Sequence, residues 1–171
     1  MTLHDRLSET VKEWKLSGYP AEYPIGEILK YAHESKDTLR YLRQPQFTAL
    51  ETYWYLRLVL KTPRLPALYD ALYEKRADKL DALGIQIKRE EVARALANEE
   101  DPIKKILTDD VFAKALSADA LRESLSLAYP SYIFALTMGA GKTALIGTII
   151  ATEFALALVH AARNRRGRRR A

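Results

Sequence analysis

From Thr143 to Ala162 the chain reads TALIGTIIATEFALALVHAA, with Glu153 as its only formally charged residue. A helix that is apolar on most faces has to be buried, in protein or in lipid. This segment therefore constrains the fold more than any other. What precedes it adds a second constraint. Tyr129-Pro130 interrupts the upstream helical pattern, and Ser131–Thr137 (SYIFALT) is a short apolar run rich in aromatic and β-branched residues. Such a run predicts a buried strand. Met138–Thr143 (MGAGKT) then supplies a glycine-rich turn. The order predicted here is strand, glycine turn, apolar helix.

The chain upstream of Pro130 reads mostly as helix. The apolar spacing and the breakers place helices at Leu3–Leu16, Ile25–Ala32, Pro45–Leu60, Leu65–Leu83, Arg89–Ala97, Pro102–Leu107, Asp109–Leu116 and Ala118–Leu127. Gln44-Pro45 and Asp101-Pro102 put proline at a first helical position, where its missing N–H costs nothing. Ser117 is placed to cap the last of these helices. Gly18, Pro63, Pro66 and Gly84 mark stops, and Gly84–Lys88 is a weaker second strand candidate. The expected organisation is a helical region 1–130, a strand–loop–helix unit 131–158 and an arginine-rich tail 159–171.

The charge belongs to that tail. The net charge is +5, and six arginines (Arg163, Arg165, Arg166, Arg168, Arg169 and Arg170) lie in the last nine residues, so the remainder carries −1. A basic nucleic-acid-binding body is thereby excluded, and the tail itself reads as solvated and disordered. With no cysteine, the chain has no disulfide, thiolate metal site or cysteine nucleophile. The N-terminal segment has charges every few residues and no apolar run, unlike a signal peptide. His4, His33 and His160 are scattered, and no serine sits in a GxSxG elbow.

Gly139-Ala140-Gly141-Lys142-Thr143 carries the chemistry. Glycines let the backbone turn tightly and approach a polyphosphate, and successive N–H groups then point at its oxygens. The helix beginning near Lys142 adds a partial positive charge at its N-terminus. Lys142 is placed to reach the β- and γ-phosphates, and the Thr143 hydroxyl to ligate Mg²⁺. Leu136 stands where the strict pattern has Gly or Ala.

A second segment bears on the first. LRQPQFTALETYWYLR, running from Leu42, resembles the glutamine motif of superfamily 2 helicases, and MGAGKT behind an apolar run resembles their motif I. Together with IIATEFALAL the chain is similar to DEAD/DEAH-type proteins of the res subunit of type III restriction endonucleases, over about Asp37–Leu60 and Ser131–Leu158. The resemblance implies a mainly α chain ending in a strand–P-loop–helix unit, the incomplete N-terminal part of a RecA-like α/β P-loop motor domain. It implies ATP and Mg²⁺ as cofactors, with Gln46 reading the adenine edge and Arg43 supporting the loop or the nucleotide. It implies DNA as the parent enzyme's partner, a modification or specificity subunit beside it, a cytoplasmic location and no membrane. Pro45 stands where the family has an aromatic residue. Phe47, Leu50, Tyr53, Trp54 and Arg57 read as a packed helix face.

Turnover by such a motor needs an acidic residue near Mg²⁺ and an arginine across a cleft. After Thr143 only Glu153 is acidic, and no DExH or DExD follows. Asp109-Asp110 and Glu99-Glu100-Asp101 read as caps and solvated faces. The abrupt arginine richness after Leu158 is what a GC-rich gene gives when read out of frame. The expectation is an N-terminal piece of a longer ATPase that binds ATP without hydrolysing it. Two other classes compete: a small membrane-anchored protein through 143–162, and a non-specific nucleic-acid binder through the arginine tail.

Overall fold

The computed structural model describes residues 1–34, 42–84, 99, 101–116, 118–137 and 141–168. Nine α-helices lie among the described residues: α1 Leu3–Leu16, α2 Ile25–Glu34, α3 Gln44–Trp54, α4 Leu65–Leu72, α5 Arg76–Ala82, α6 Pro102–Thr108, α7 Asp110–Ala115, α8 Asp119–Leu125 and α9 Lys142–Arg168. A π-helical turn, Tyr55–Val59, prolongs α3.

No strand occurs among the described residues, so the chain is all-α there. This corrects the expected strand–P-loop–helix unit of a RecA-like α/β domain. Ser131–Thr137, expected as its strand, is irregular. Its side chains alternate between half-buried Tyr132, Phe134 and Leu136 and exposed neighbours, with Ile133 91% exposed. The segment has the two-residue period of a strand but no ladder. β-structure exists only through hydrogen bonds to a second strand, and none among the described residues pairs with it. The weaker candidate, Gly84–Lys88, and the expected helix Arg89–Ala97 fall almost wholly outside the described residues, as does the Ser117 cap.

The chain divides into two compact units that cross the expected domain boundaries. One comprises Met1–Glu9 with Thr62–Tyr132, and the other Thr10–Lys61 with Ile133–Ala171.

In the first unit, short helices are set by aspartate caps. Asp101 Oδ1 accepts from Lys104 N at 3.1 Å and starts α6 behind Pro102. Asp109 Oδ1 accepts from Phe112 N at 3.0 Å and starts α7. That backbone hydrogen bond holds the Asp109 carboxyl below its usual range. Each helix is too short to persist alone and is held by packing. Ile106, Phe112 and Ala118 form a buried cluster flanked by Leu80, Leu116 and Leu121. The expected helix Leu65–Leu83 is broken at Tyr73, whose extended backbone ends α4. Both Tyr69 and Tyr73 are buried there, with their rings stacked 5.9 Å apart.

The second unit is built around aromatic side chains. Trp14 on α1 meets Tyr19 edge-on at 5.1 Å and Tyr55 at 5.6 Å. Ile25 and Leu29 of α2 and Leu50 and Trp54 of α3 are fully enclosed. Glu51 is buried too, where Lys15 Nζ pairs with it at 2.9 Å and the Tyr19 hydroxyl donates to it. Burial first, and then that carboxylate, push the Tyr19 phenol upward. Trp54, Tyr55 and Leu56 are all buried, although three consecutive residues sweep about 200° of a regular helix's circumference. The π-turn, closed by Leu60 N to Tyr55 O at 3.1 Å, widens the helix there and accommodates them.

Helix α9 packs one side on this unit through Leu145, Thr152 and Leu156. Trp54 Nε1 donates to Thr152 Oγ1 at 3.2 Å. The Glu153 carboxylate accepts from the Tyr53 hydroxyl at 2.6 Å and from Arg57 Nε at 3.1 Å. Burial first, and then that carboxylate, push the Tyr53 phenol up to about 12. The helix continues through the start of the arginine-rich segment to Arg168.

Candidate phosphate-binding site

The segment expected to hold phosphate is the start of α9. Gly141 precedes the helix with a φ of +71°, a conformation that side-chain-bearing residues rarely adopt. Its carbonyl accepts from Ala144 N at 3.0 Å and from Leu145 N at 3.3 Å, closing the first turn. A Cβ at Gly141 would collide with Nε2 of Gln46. Glycine is thus required twice over, by the dihedral and by the contact.

Gln46 is 1% exposed in the first turn of α3. Its amide is used at both ends. The Oε1 atom accepts from Arg43 N, satisfying a backbone donor at the entry to α3. The Nε2 atom donates to Gly141 O at 2.6 Å. Two segments 95 residues apart in sequence are joined by this one side chain. The residue expected to read adenine therefore has its amide clamping the loop-to-helix junction. Arg43 contributes its backbone N–H to the clamp.

Lys142 and Thr143 are exposed in the opening turn of α9. Lys142 Nζ donates to Thr137 O at 3.3 Å, so its ammonium is turned back toward Thr137. That posture leaves a cation on a flexible stem beside a helix N-terminus, where an anion is stabilised. Gly139 and Ala140 lie outside the described residues. The structure therefore brings Gln46, the Arg43 backbone, Gly141, Lys142 and Thr143 into one neighbourhood.

For Mg²⁺ the start of α9 offers one side-chain oxygen, the Thr143 hydroxyl. Among the described residues no three His, Asp or Glu side chains gather as a metal site. Glu153, the only acid of α9, lies about 15 Å up the axis from Thr143. Its carboxylate is held by Tyr53 and Arg57. A Mg²⁺ ion brought by a nucleotide fits this donor set only with phosphate and water as its other ligands, which Mg²⁺ accepts readily.

Sequence reasoning misses the clamp. Gln46 stands out only by resemblance, and no local pattern points from it to Gly141. The latch of Tyr53 and Arg57 on Glu153 has a weak signal in the four-residue spacing of Tyr53 and Arg57 on one helix face. Leu50 and Trp54 pack as expected, and Lys15 Nζ lies 5.3 Å from the Phe47 ring centroid.

Fold and site together define a chain, all-helical among the described residues, whose longest helix opens on a glycine junction clamped by a buried glutamine. No family model, curated protein or solved structure matches the chain in comparison.

Proposed function

We propose that this chain binds ATP, with Mg²⁺, at the start of α9, as part of a helicase-like DNA translocase of the type III restriction res kind. On this reading it works in the cytoplasm, with DNA and a modification or specificity subunit as partners, and does not turn ATP over by itself. The observation that supports it is the hydrogen bond from Gln46 to Gly141, which unites the two segments that carry the resemblance. Lys142 neutralises phosphate charge, the α9 N-terminus offers backbone N–H groups, and Thr143 supplies the metal ligand. Adenine reading by Gln46 requires its amide to leave Gly141 or to share it. Absence of turnover follows from the held position of Glu153, which offers no carboxylate to Mg²⁺ or water at the junction.

The test is a calorimetric titration with Mg·ATP. Wild type binds, and Lys142→Ala binds at least about tenfold more weakly, the loss of one charge-assisted contact. Equal affinity in the two proteins removes the reading. ATP turnover that disappears in Lys142→Ala removes its inactive part.

A second reading is favoured by one observation. Lys142–Arg165 is long and apolar enough to cross a bilayer, with mean hydropathy 1.8 and 17% of its most apolar stretch buried. The arginines behind it suit a cytoplasmic flank. Against it, an ionised carboxylate such as Glu153 near the centre costs about 2.5–3.5 kcal/mol on insertion scales. Recovery of the full chain in a carbonate-resistant membrane pellet would decide for this reading.

A further inference from the structure

Helix α9 wears its polarity inside out. Thr152 and Glu153 face the protein, where Trp54, Tyr53 and Arg57 satisfy them. Ile146, Ile150, Phe154 and Leu158 stand outward, 58%, 51%, 67% and 69% exposed. On side chains of about 150–250 Å² these fractions leave roughly 500 Å² of apolar surface in one ridge. That is at the upper end of what a monomer carries without a purpose.

The face centred on Ile150 and Phe154, with Ile146 and Leu158 on its two flanks, has a self-complementary pattern. Thr143, Gly147, Ile150, Phe154, Ala157 and Ala161 are all exposed and follow one another at alternating spacings of four and three residues. That is the seam of a helix pair. Paired antiparallel about the level of Thr152, the seam sets Ile150 against the partner's Phe154 and Gly147 against the partner's Ala157. Large side chains then meet at the centre, and small ones flank them and let the helices approach. Parallel pairing would instead bring the two arginine-rich ends together, whereas antiparallel pairing separates them and opposes the helix dipoles. The buried area, ~1,000 Å² over both copies, reaches the lower bound for a specific interface.

We propose that this face binds a second copy of the chain, antiparallel, and that Arg165 of each copy is thereby carried beside the other's phosphate-binding junction. Arg165 is exposed on the same side of α9 as the seam, about one turn beyond Ala161. In this register Ala161 faces the partner's Thr143, so Arg165 passes alongside the entry to the partner's α9. Its guanidinium and the partner's Lys142 repel each other when no anion is present and share one when a polyphosphate is bound. Bound nucleotide therefore strengthens the pair, and pairing strengthens nucleotide binding by the same factor. This second step rests on the ATP reading above, while the pairing itself does not.

The experiment is sedimentation velocity on the full chain, with and without Mg·ATP. Wild type forms a dimer without nucleotide. Ile150→Glu/Phe154→Glu weakens it about tenfold or more, as loss of central contacts does, with unchanged circular dichroism because both side chains are exposed. Since the chain has no cysteine, Gly147→Cys/Ala157→Cys tests the register. Gly147 has open space around its Cβ direction, and the double variant forms an intermolecular disulfide while neither single variant does. A chain monomeric at high micromolar concentration, a dimer untouched by the double Glu variant, or vesicle binding by a monomer through this face overturns the pairing. Mg·ATP strengthens the wild-type dimer and leaves that of Arg165→Glu unchanged. If ATP binds by calorimetry yet shifts neither dimer, the Arg165 step is overturned; if ATP does not bind at all, the ATP reading fails and the pairing is judged on the other arms.

Discussion

The short helices α6 to α8 and the long helix α9 reach stability by opposite routes. Each short helix has six or seven residues, two start on aspartate caps, and their large side chains close on a shared cluster around Ile106 and Phe112. None would persist alone, so packing makes them helical. Helix α9 has 27 residues rich in alanine, leucine and isoleucine. It is long enough to hold its own hydrogen bonds, and it turns large apolar side chains outward. The contrast teaches that helix formation and full burial are separable: a long helix covered on one side can leave the other bare, and a short one cannot.

The largest effects should fall on enclosed side chains. Trp54→Ala removes a fully buried ring and the donor to Thr152, and should cost about 3–5 kcal/mol in a chemical denaturation curve. Phe154→Ala, on the exposed side of α9, should cost under about 0.5 kcal/mol when both curves are taken dilute enough to keep the chain monomeric. Similar losses at the two positions would break the comparison.

Next comes the junction. Gly141→Ala combines a left-handed φ with a collision against Gln46, and should cost about 1–3 kcal/mol in thermal melts. Gln46→Ala alone should also destabilise, because it gives up the bonds to Arg43 N and Gly141 O. In the Gln46→Ala background Gly141→Ala should cost less than in wild type, by the part due to the collision, and an equal cost in the two backgrounds would show that the amide does not press on this site.

Smaller effects separate cap from latch. Asp101→Ala should cost about 1 kcal/mol through the lost cap of α6. Tyr53→Phe should cost about 1 kcal/mol through the lost bond to Glu153. The latch and the cap at Asp109 also differ in pH dependence. The Tyr53 phenol is raised in the folded state to about 12 from an ordinary value of 10.0, so its contribution is complete below 10.0 and is lost as pH rises toward 12. The cap at Asp109 runs the other way. Its carboxyl is lowered in the folded state, so its contribution is present above the ordinary value of 3.8 and is lost as pH falls through the folded value. Stability against pH in wild type and in Tyr53→Phe should diverge only below the alkaline limb, and converge within it.

Much of the helical map was legible in local chemistry. Leu3–Leu16 was bounded by its apolar spacing and by Gly18, and α6 and α7 by aspartate and proline signals. The break at Tyr73 was not legible, because the segment from Leu65 to Leu83 has the composition of one helix. Ser131–Thr137 has the composition and period of a strand, yet a strand is a relation between two segments, and a single sequence run can state only half of it. The candidate site divides in the same way. Glycine, lysine and threonine at 141–143 mark a candidate phosphate-binding junction through motif and helix start. That Gln46 would commit its amide to Gly141 could come only from folding, since the two lie 95 positions apart.

Sequence alone therefore determined where most helices begin and end, that residues 142–162 form an apolar helix, and that the positive charge gathers behind it. Those properties depend on neighbours within a few residues, through caps, proline, glycine and charge. Tertiary structure decided which side of that helix is covered, what the buried glutamine holds, and that the apolar run before it joins no ladder among the described residues. Those depend on contacts between distant segments, where side chains compete for the same surface and only the folded chain settles which of them meet.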